Sequence, residues 1–285
     1  MTAPEGYFDG IGGSVCAAIM GLDKNKSPYD AYLNFVDPST REDLSDNEPV
    51  LWGQLLERPI GEEAARRLGL TVVHQPKLIK HATIPFMQAH MDFEVVGQPA
   101  LLEVKARGLH MLKQYDLATE DLLDEERVLD TEAVQVHHYL TVSGRERAYL
   151  AVLIGGQKLL TFTINRDPEI CASIERACTE FWGYVERGEP PPPINVADCN
   201  KMWPSQRPGS WVEATEEIAK AVEERKRLKA LIKSATDDLG FAELKVKSFM
   251  KDAEELRIGG KKVLTWREQK REGYTVAPTS FRVMR

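Results

Sequence analysis

The sequence predicts an α/β (α+β) protein, and three features carry that prediction. Apolar residues recur at helical spacing in stretches that alternate with short β-rich runs, the pattern of helices layered on a sheet. The run from His90 to Arg107 is split by Gly97-Gln98-Pro99 and reads as a β-hairpin. A second pair of runs, Ala148–Ile154 and Leu159–Ile164, flanks Gly155-Gly156 and reads as two buried strands joined by a turn.

In chain order, Gly12-Gly13 leads to Ser14, an expected N-cap for a short apolar helix ending at Gly21. Backbone N–H groups at such a glycine-rich helix start suit a phosphate, although no Gly-Lys-Ser/Thr follows and, taken alone, the stretch reads better as a capped packing helix. A second helix starts at Ser27-Pro28, with proline in its first position, and turns Tyr32, Leu33 and Phe35 inward. Residues 37–47 form a polar, acidic loop. Leu51, Leu55, Leu56, Ile60, Ala64 and Leu68 make a helical stripe that Pro59 should kink or divide. Glu57 lies on or beside the apolar side of that stripe, whereas Glu62 and Glu63 lie on the polar side. Thr71-Val72-Val73 is a strand, and a less regular Leu78-Ile79 stretch precedes the hairpin.

Residues 108–130, with Asp116, Glu120, Asp121, Asp124, Glu125 and Glu126, read as a solvated acidic segment, or alternatively as a gate over a site. Thr131–Thr141 reads as a helix with Gln135 and Tyr139 on one face. His137 and His138 are neighbours rather than four apart, so they read as satisfied or exposed side chains and not as a helical metal clamp. Residues 168–187 make an amphipathic helix. The stiff run Pro190–Pro193 marks a boundary. Beyond it, Asp198–Pro204 is irregular, Ala214–Ala235 and Phe241–Glu255 read as two charged helices, and Gly259-Gly260 turns into a strand, Lys261–Trp266. The tail carries Arg267, Lys270, Arg271 and Tyr274, which serve either packing and oligomer contacts or nucleic-acid contact.

A chain of 285 residues can bury a large core. Its net charge of −7 argues against general coating of nucleic acid but leaves room for a local basic groove. The four cysteines form no C-x-x-C pair, so zinc-ribbon or iron–sulfur spacing is lacking, and they read as thiols of a reducing cytoplasm. The N-terminus lacks the basic and apolar regions of a signal peptide, and no apolar run is long enough to span a bilayer. The expectation is a soluble, cytoplasmic protein.

The chemistry concentrates in the hairpin. Asp92 precedes its turn, and Glu103-Val104-Lys105 follows. Strand alternation points Glu103 and Lys105 the same way, with Asp92 beside them on the neighbouring strand. Two carboxylates sharing one space call for a cation. A divalent metal supplies it, and the lysine adds positive charge for an anionic substrate, which points to metal-assisted phosphodiester chemistry.

Taken in order, the landmarks are Gly53-x-x-x-Glu57, Asp92 with Glu103-x-Lys105, and Gln135-x-x-x-Tyr139. This arrangement resembles the PD-(D/E)xK nuclease superfamily. Within it, the chain resembles the YqaJ-type viral recombinases, relatives of lambda exonuclease, through Gly12-Gly13-Ser14, Ala17–Gly21, Ser27-Pro28-Tyr29, Gln135–Leu140 and Ala148–Gly156. The likeness covers roughly residues 10–190, and the tail with Val263-Leu264-Thr265-Trp266 is similar to an extension of some phage members. It implies a central mixed sheet flanked by helices, a restriction-endonuclease-like nuclease core over 1–190, and a C-terminal helical extension (linker, helical hairpin and strand) over 191–285.

The resemblance also implies roles. Asp92, Glu103 and the Val104 carbonyl would ligate Mg²⁺ or Mn²⁺, and Glu57 would serve a second ion or its water. Lys105 would activate the attacking water, titrating low if buried beside metal. Gln135 would hold Lys105 or the scissile phosphate, Tyr139 would support Gln135 or the DNA backbone, and Ser14 would contact a phosphate. The implied activity is a phage-type DNA exonuclease that digests one strand of a duplex end, 5′ to 3′, for a single-strand annealing protein, with ring-shaped homo-oligomers known among relatives. An endonuclease on the same fold and a non-catalytic DNA-end or recombinase-binding module are the rival readings. Two departures stand out: Tyr7, Phe8 and Asp9 occupy the place where relatives often carry an arginine, and Phe93-Glu94 follow Asp92 where a small glycine is usual, which makes Glu94 either a further acid or an outward residue.

Overall fold

Side-chain chemistry sets the helix starts. In the computed structural model, which describes residues 9–74, 78–115, 128–270, 273 and 282, α2 (Pro28–Val36) opens with a complete capping box. The Ser27 side chain accepts from the Asp30 N–H, and the Asp30 carboxylate accepts from the Ser27 N–H. Helix α1 (Gly13–Ile19) is capped by Gly12 rather than by Ser14, which lies exposed inside the first turn. The extended backbone falls at Gly12 (φ −91°, ψ 163°), so the helix begins earlier than the side-chain preference of serine indicates.

Helix α3 (Glu48–Leu68) runs unbroken for 21 residues through Pro59. The expected division is absent: Pro59 and Leu55, whose carbonyl it cannot bond, both face solvent, so the lost bond is met by water. Leu55 is therefore outside the buried stripe, which consists of Ile60, Ala64 and Ala65 with Leu56 and Leu68 at its edge. A Cβ on Gly61 would stand 2.2 Å from the Phe93 ring, so this glycine lets α3 press against the sheet.

The main sheet has five strands: β1 (Val72–His74), β4 (Phe93–Val95), β5 (Ala100–Arg107), β6 (Arg147–Ile154) and β7 (Lys158–Asn165), in the spatial order β1-β4-β5-β6-β7. β4 and β5 form the expected antiparallel hairpin, with Phe93 opposite Leu102 and Glu94 opposite Leu101. β5 and β6 are parallel over their full lengths, joined by a connection that contains α4 (Asp130–Ser143); β6 and β7 are antiparallel. The sheet is thus mixed, as expected. Two further strands, β2 (Leu78–Lys80) and β3 (Gln88–His90), pair with each other.

Two apolar layers sandwich the sheet. Leu101, Ala148, Leu150 and Val152 face α1, α2, α4 and α5 (Pro168–Arg187), while Phe93, Val95, Leu102, Val104 and Ala151 face α3. Alternation along β5 therefore sends Glu103 and Lys105 to the α4 side.

The chain divides into two compact units, Met1–Met202 and Trp203–Arg285. The first includes α6 (Val196–Met202), where an irregular stretch was expected. Its buried Asp198 accepts from Ser27 Oγ at 2.6 Å and from the Ile194 N–H at 3.0 Å. The second consists of α7 (Glu216–Met250) and the hairpin β8 (Glu255–Ile258) and β9 (Lys261–Thr265). The expected helical hairpin is one continuous helix of 35 residues. A single interior glycine, Gly240, costs only about 1 kcal/mol, too little to break it. No helix among the described residues is long and apolar enough to cross a membrane. The acidic run 116–127, with Tyr7, Phe8, Arg271 and Tyr274, lies outside the described residues.

Candidate active site

The site forms where the β4–β5 ladder ends. Beyond the Phe93–Leu102 pair, the Val104 N–H no longer meets a strand; it donates to Asp92 Oδ2 at 2.8 Å. In an antiparallel strand the N–H and C=O of one residue address the same neighbour, so the Val104 carbonyl belongs to the same edge. Glu103 is 2% exposed. Its Oε1 accepts from Lys105 Nζ at 2.5 Å and from Gln135 Nε2 at 3.0 Å. Its Oε2 is buried with no hydrogen-bond partner.

Helix α4 supplies the facing wall. The Gln135 amide donates both to Glu103 and to Tyr139 Oη, the latter at 2.8 Å, so the i, i+4 spacing seen in sequence becomes a bonded pair. The resemblance implied that Gln135 holds Lys105 or a phosphate; within the chain its amide bonds Glu103, the partner of Lys105, and Tyr139. Gly13 lies against this pair: a Cβ there would stand 2.6 Å from Tyr139 Cε1 and 3.0 Å from Gln135 Cγ. The glycine-rich start of α1 is a close-approach position, and Ser14 stands exposed in the turn that Gly13 begins.

Helix α3 brings Glu57 to the same region. Glu57 Oε1 and His74 Nε2 are 2.8 Å apart, and the His74 ring packs 4.9 Å from that of Phe93. Glu57 raises the proton affinity of both other acids. The Asp92 carboxyl is pushed well above the usual range by burial, then by the Glu103 and Glu57 charges. Glu103 is raised by burial, with Lys105 pulling the other way. For Lys105, burial alone would lower the ammonium, but the Glu103 and Asp92 charges outweigh it and hold it above its ordinary value. The expectation of a low-titrating Lys105 was tied to a metal beside it; without that charge the two carboxylates keep it protonated.

The fold thus gathers Asp92, Glu103, Val104, Lys105, Gln135 and Tyr139 by direct contact and Glu57 by its field. Glu94, in contrast, points away and pairs with Arg145 at 2.5 Å, its side chain 52% exposed. Three acids share one ammonium, and one buried carboxylate oxygen is unbonded. This all-oxygen donor set, with excess negative charge, fits a hard divalent cation of the Mg²⁺ or Mn²⁺ class.

Sequence reasoning missed His74 and a second charged cluster. Arg107 donates to Glu132 Oε1 through Nε at 2.9 Å and through a terminal nitrogen at 2.7 Å, and Tyr115 Oη donates to the same carboxylate at 2.9 Å. Arg107 shows in the sequence as the next member of the Glu103, Lys105 series, but its partners come from other elements.

The profile of the YqaJ-like viral recombinase domain matches residues 8–146. The chain is 32% identical to the uncharacterized protein YqaJ of Bacillus subtilis over 258 residues, covering 88% of this chain and 78% of that one. Among solved structures, the alkaline exonuclease LHK-Exo from Laribacter hongkongensis superposes with a TM-score of 0.50 at 17% identity, covering 64% of this chain and 90% of that one. LHK-Exo in complex with dAMP also gives 0.50, at 19% identity over the same shares. These two structures are similar to this chain in fold.

Proposed function

Since the chain belongs to the YqaJ-like viral recombinase family, we propose that it is a divalent-metal-dependent deoxyribonuclease of phage-type recombination, acting as an exonuclease on duplex DNA ends. The observation that carries this reading is the Glu103 carboxylate, with one oxygen held by Lys105 and Gln135 and the other buried and unbonded beside Asp92. In the metal-free site only a protonated Asp92 can meet that acceptor; once Asp92 ionises, a buried acceptor without a donor is costly unless a cation completes it. The exonuclease fold of LHK-Exo supports the same reading.

Asp92, Glu103 and the Val104 carbonyl would hold Mg²⁺ or Mn²⁺, and Glu57, oriented by His74, would hold a second ion. Such a cation, when bound, supplies Lewis acidity toward the phosphodiester. The chain's own groups do the positioning. The Val104 N–H fixes the Asp92 rotamer, and Gln135 fixes Glu103 while Tyr139 orients Gln135. Lys105 places a positive charge where the phosphate's charge develops, and with divalent charge nearby its proton affinity falls, which suits it to orient or activate the attacking water. Ser14, in the exposed first turn of α1, would contact a DNA phosphate.

The finer parts of the proposal are 5′ to 3′ polarity, a single-strand annealing protein as partner and a homo-oligomeric ring around the duplex. The test incubates end-labelled linear duplex and closed circular DNA with Mg²⁺, using wild type and Lys105→Ala. Stepwise loss from the 5′ end of linear DNA by wild type alone is expected. Nicking of circles would move the assignment to an endonuclease. Absence of any metal-dependent cleavage by pure wild-type protein would remove the enzymatic reading.

A further inference from the structure

Three helices converge on a second cluster whose chemistry differs from that of the carboxylates. Cys16 of α1, His138 of α4 and Cys178 of α5 are each 0% exposed. One ligand atom from each lies within 4.8 Å of the others. His138 Nε2 is 3.0 Å from the Gln88 carbonyl, which can only accept, so the ring proton sits on Nε2 and Nδ1 carries a lone pair. Nδ1 is buried on the side of the Cys16 thiol, which the ring polarises. Of the two expected states, satisfied or exposed, the second is ruled out, since the ring is fully buried.

Two sulfurs and one imidazole nitrogen are soft and borderline donors, the set that selects zinc over magnesium. With bonds of about 2.3 Å to sulfur and about 2.0 Å to nitrogen, donors around one zinc ion stand roughly 3.5–4 Å apart, within a small adjustment of the observed cluster. Charge points the same way. Two thiolates and a neutral imidazole sum to −2, so a divalent ion leaves the buried cluster neutral, whereas monovalent copper would leave it charged in a dry site. One of the two thiols is already polarised: Cys178 first, then the His138 ring, draw Cys16 down to about 6 against the effect of burial, while Cys16 and burial push Cys178 well above its ordinary value. A metal would take the place of the remaining thiol proton.

We propose that Cys16, His138 and Cys178 form a three-ligand zinc site that ties α1 and α5 to α4. His138 adjoins Tyr139, and α1 carries Gly13 against Gln135 and Tyr139, so the ion would brace the helical wall of the carboxylate cluster without taking part in its chemistry. The proposal does not depend on the nuclease reading. Sequence spacing could not show it, because the two cysteines lie on helices at opposite ends of the first compact unit's sequence.

The test uses the full-length chain, reduced and stripped of metal, with excess Mg²⁺ present to occupy oxygen sites. Cobalt(II) should produce a thiolate-to-metal charge-transfer band that one equivalent of Zn²⁺ abolishes and Mg²⁺ does not. Cys16→Ser and Cys178→Ser should each lose the band. Because either variant could unfold, the wild type carries a second readout: Zn²⁺ should protect Cys16 and Cys178 from alkylation, mapped by mass spectrometry, while Cys199 continues to react. No charge-transfer band at saturating cobalt in wild type would overturn the site. So would equal alkylation of Cys16 and Cys178 with and without zinc, or a Cys16–Cys178 disulfide that accounts for both thiols in freshly purified protein.

Discussion

One face of β5 carries two charged clusters, and their wiring differs. Around Glu132, Arg107 and Tyr115 supply the counter-charge and the hydrogen bonds, and both carboxylate oxygens are used. Around Glu103, two residues earlier on the same side as Lys105, three acids compete for one ammonium, and Glu103 Oε2 is left unbonded. The first arrangement completes itself within the chain. The second is completed only by something added to it. Burial is similar in the two, so it does not mark the functional cluster; the excess of negative charge and the balance of donors against acceptors do.

That contrast can be broken most sharply by charge removal at the open cluster. Lys105→Ala or Asp92→Ala should lower cleavage per folded molecule by about a thousandfold or more, with Asp92→Ala also losing Mn²⁺ binding by calorimetry and melting no earlier than wild type by more than a small margin. A rate that fell only in step with the folded fraction would erase the distinction. Arg107→Ala should do the reverse. It leaves Glu132, 1% exposed, buried without its cation, for a loss of about 3 kcal/mol at most in urea unfolding, with cleavage per folded molecule preserved. Loss of activity at full stability would place Arg107 in the site.

A smaller effect is expected from pH. Burial and neighbouring acids raise Asp92 and Glu103 above their ordinary values of 3.8 and 4.5, so the metal-free folded chain binds protons more tightly there than the unfolded chain. Stability from these two groups is therefore lost as pH rises from those ordinary values through the raised native ones. Thermal melts of metal-free protein should fall across that interval, Asp92→Asn should flatten the fall, and saturating Mg²⁺ should do the same. A wild-type profile that climbs there relative to Asp92→Asn would contradict the assignment. The smallest effect belongs to Glu94→Ala. Its half-exposed pair with Arg145 is worth under about 1 kcal/mol, and cleavage should be unchanged; a large loss of rate would make Glu94 a member of the cluster.

Much of the core was legible because its signals are local. Alternation and the Gly155-Gly156 turn placed β6 and β7 within a residue of their observed ends, and the amphipathic stripe placed α5 at 168–187. The Asp92, Glu103 and Lys105 grouping followed from pleat geometry across one tight turn. The misses are places where a local preference was weighed without its surroundings. Ser14 looked like a cap, but the backbone turns helical at Gly13, where the chain must approach Tyr139. Pro59 looked like a break, but its lost bond faces solvent. The stretch between the two expected helices, Thr236–Gly240, is absorbed by one helix of 35 residues, and the strand Glu255–Ile258 begins at the residue where the second of them was expected to end.

By itself, then, the sequence determined most of the strand and helix content of the first unit (α6 and β3 excepted), the hairpin and which of its side chains share a face, since these depend on neighbours a few residues apart. Only the tertiary structure decided that β6 lies parallel to β5, that Gln135 bonds Glu103, that His74 orients Glu57, and that Cys16 and Cys178 meet at His138. The physical reason is common to all four. Each contact joins elements whose separation along the chain carries no periodic or capping signal, and each exists only after burial of the two apolar layers has chosen which faces meet.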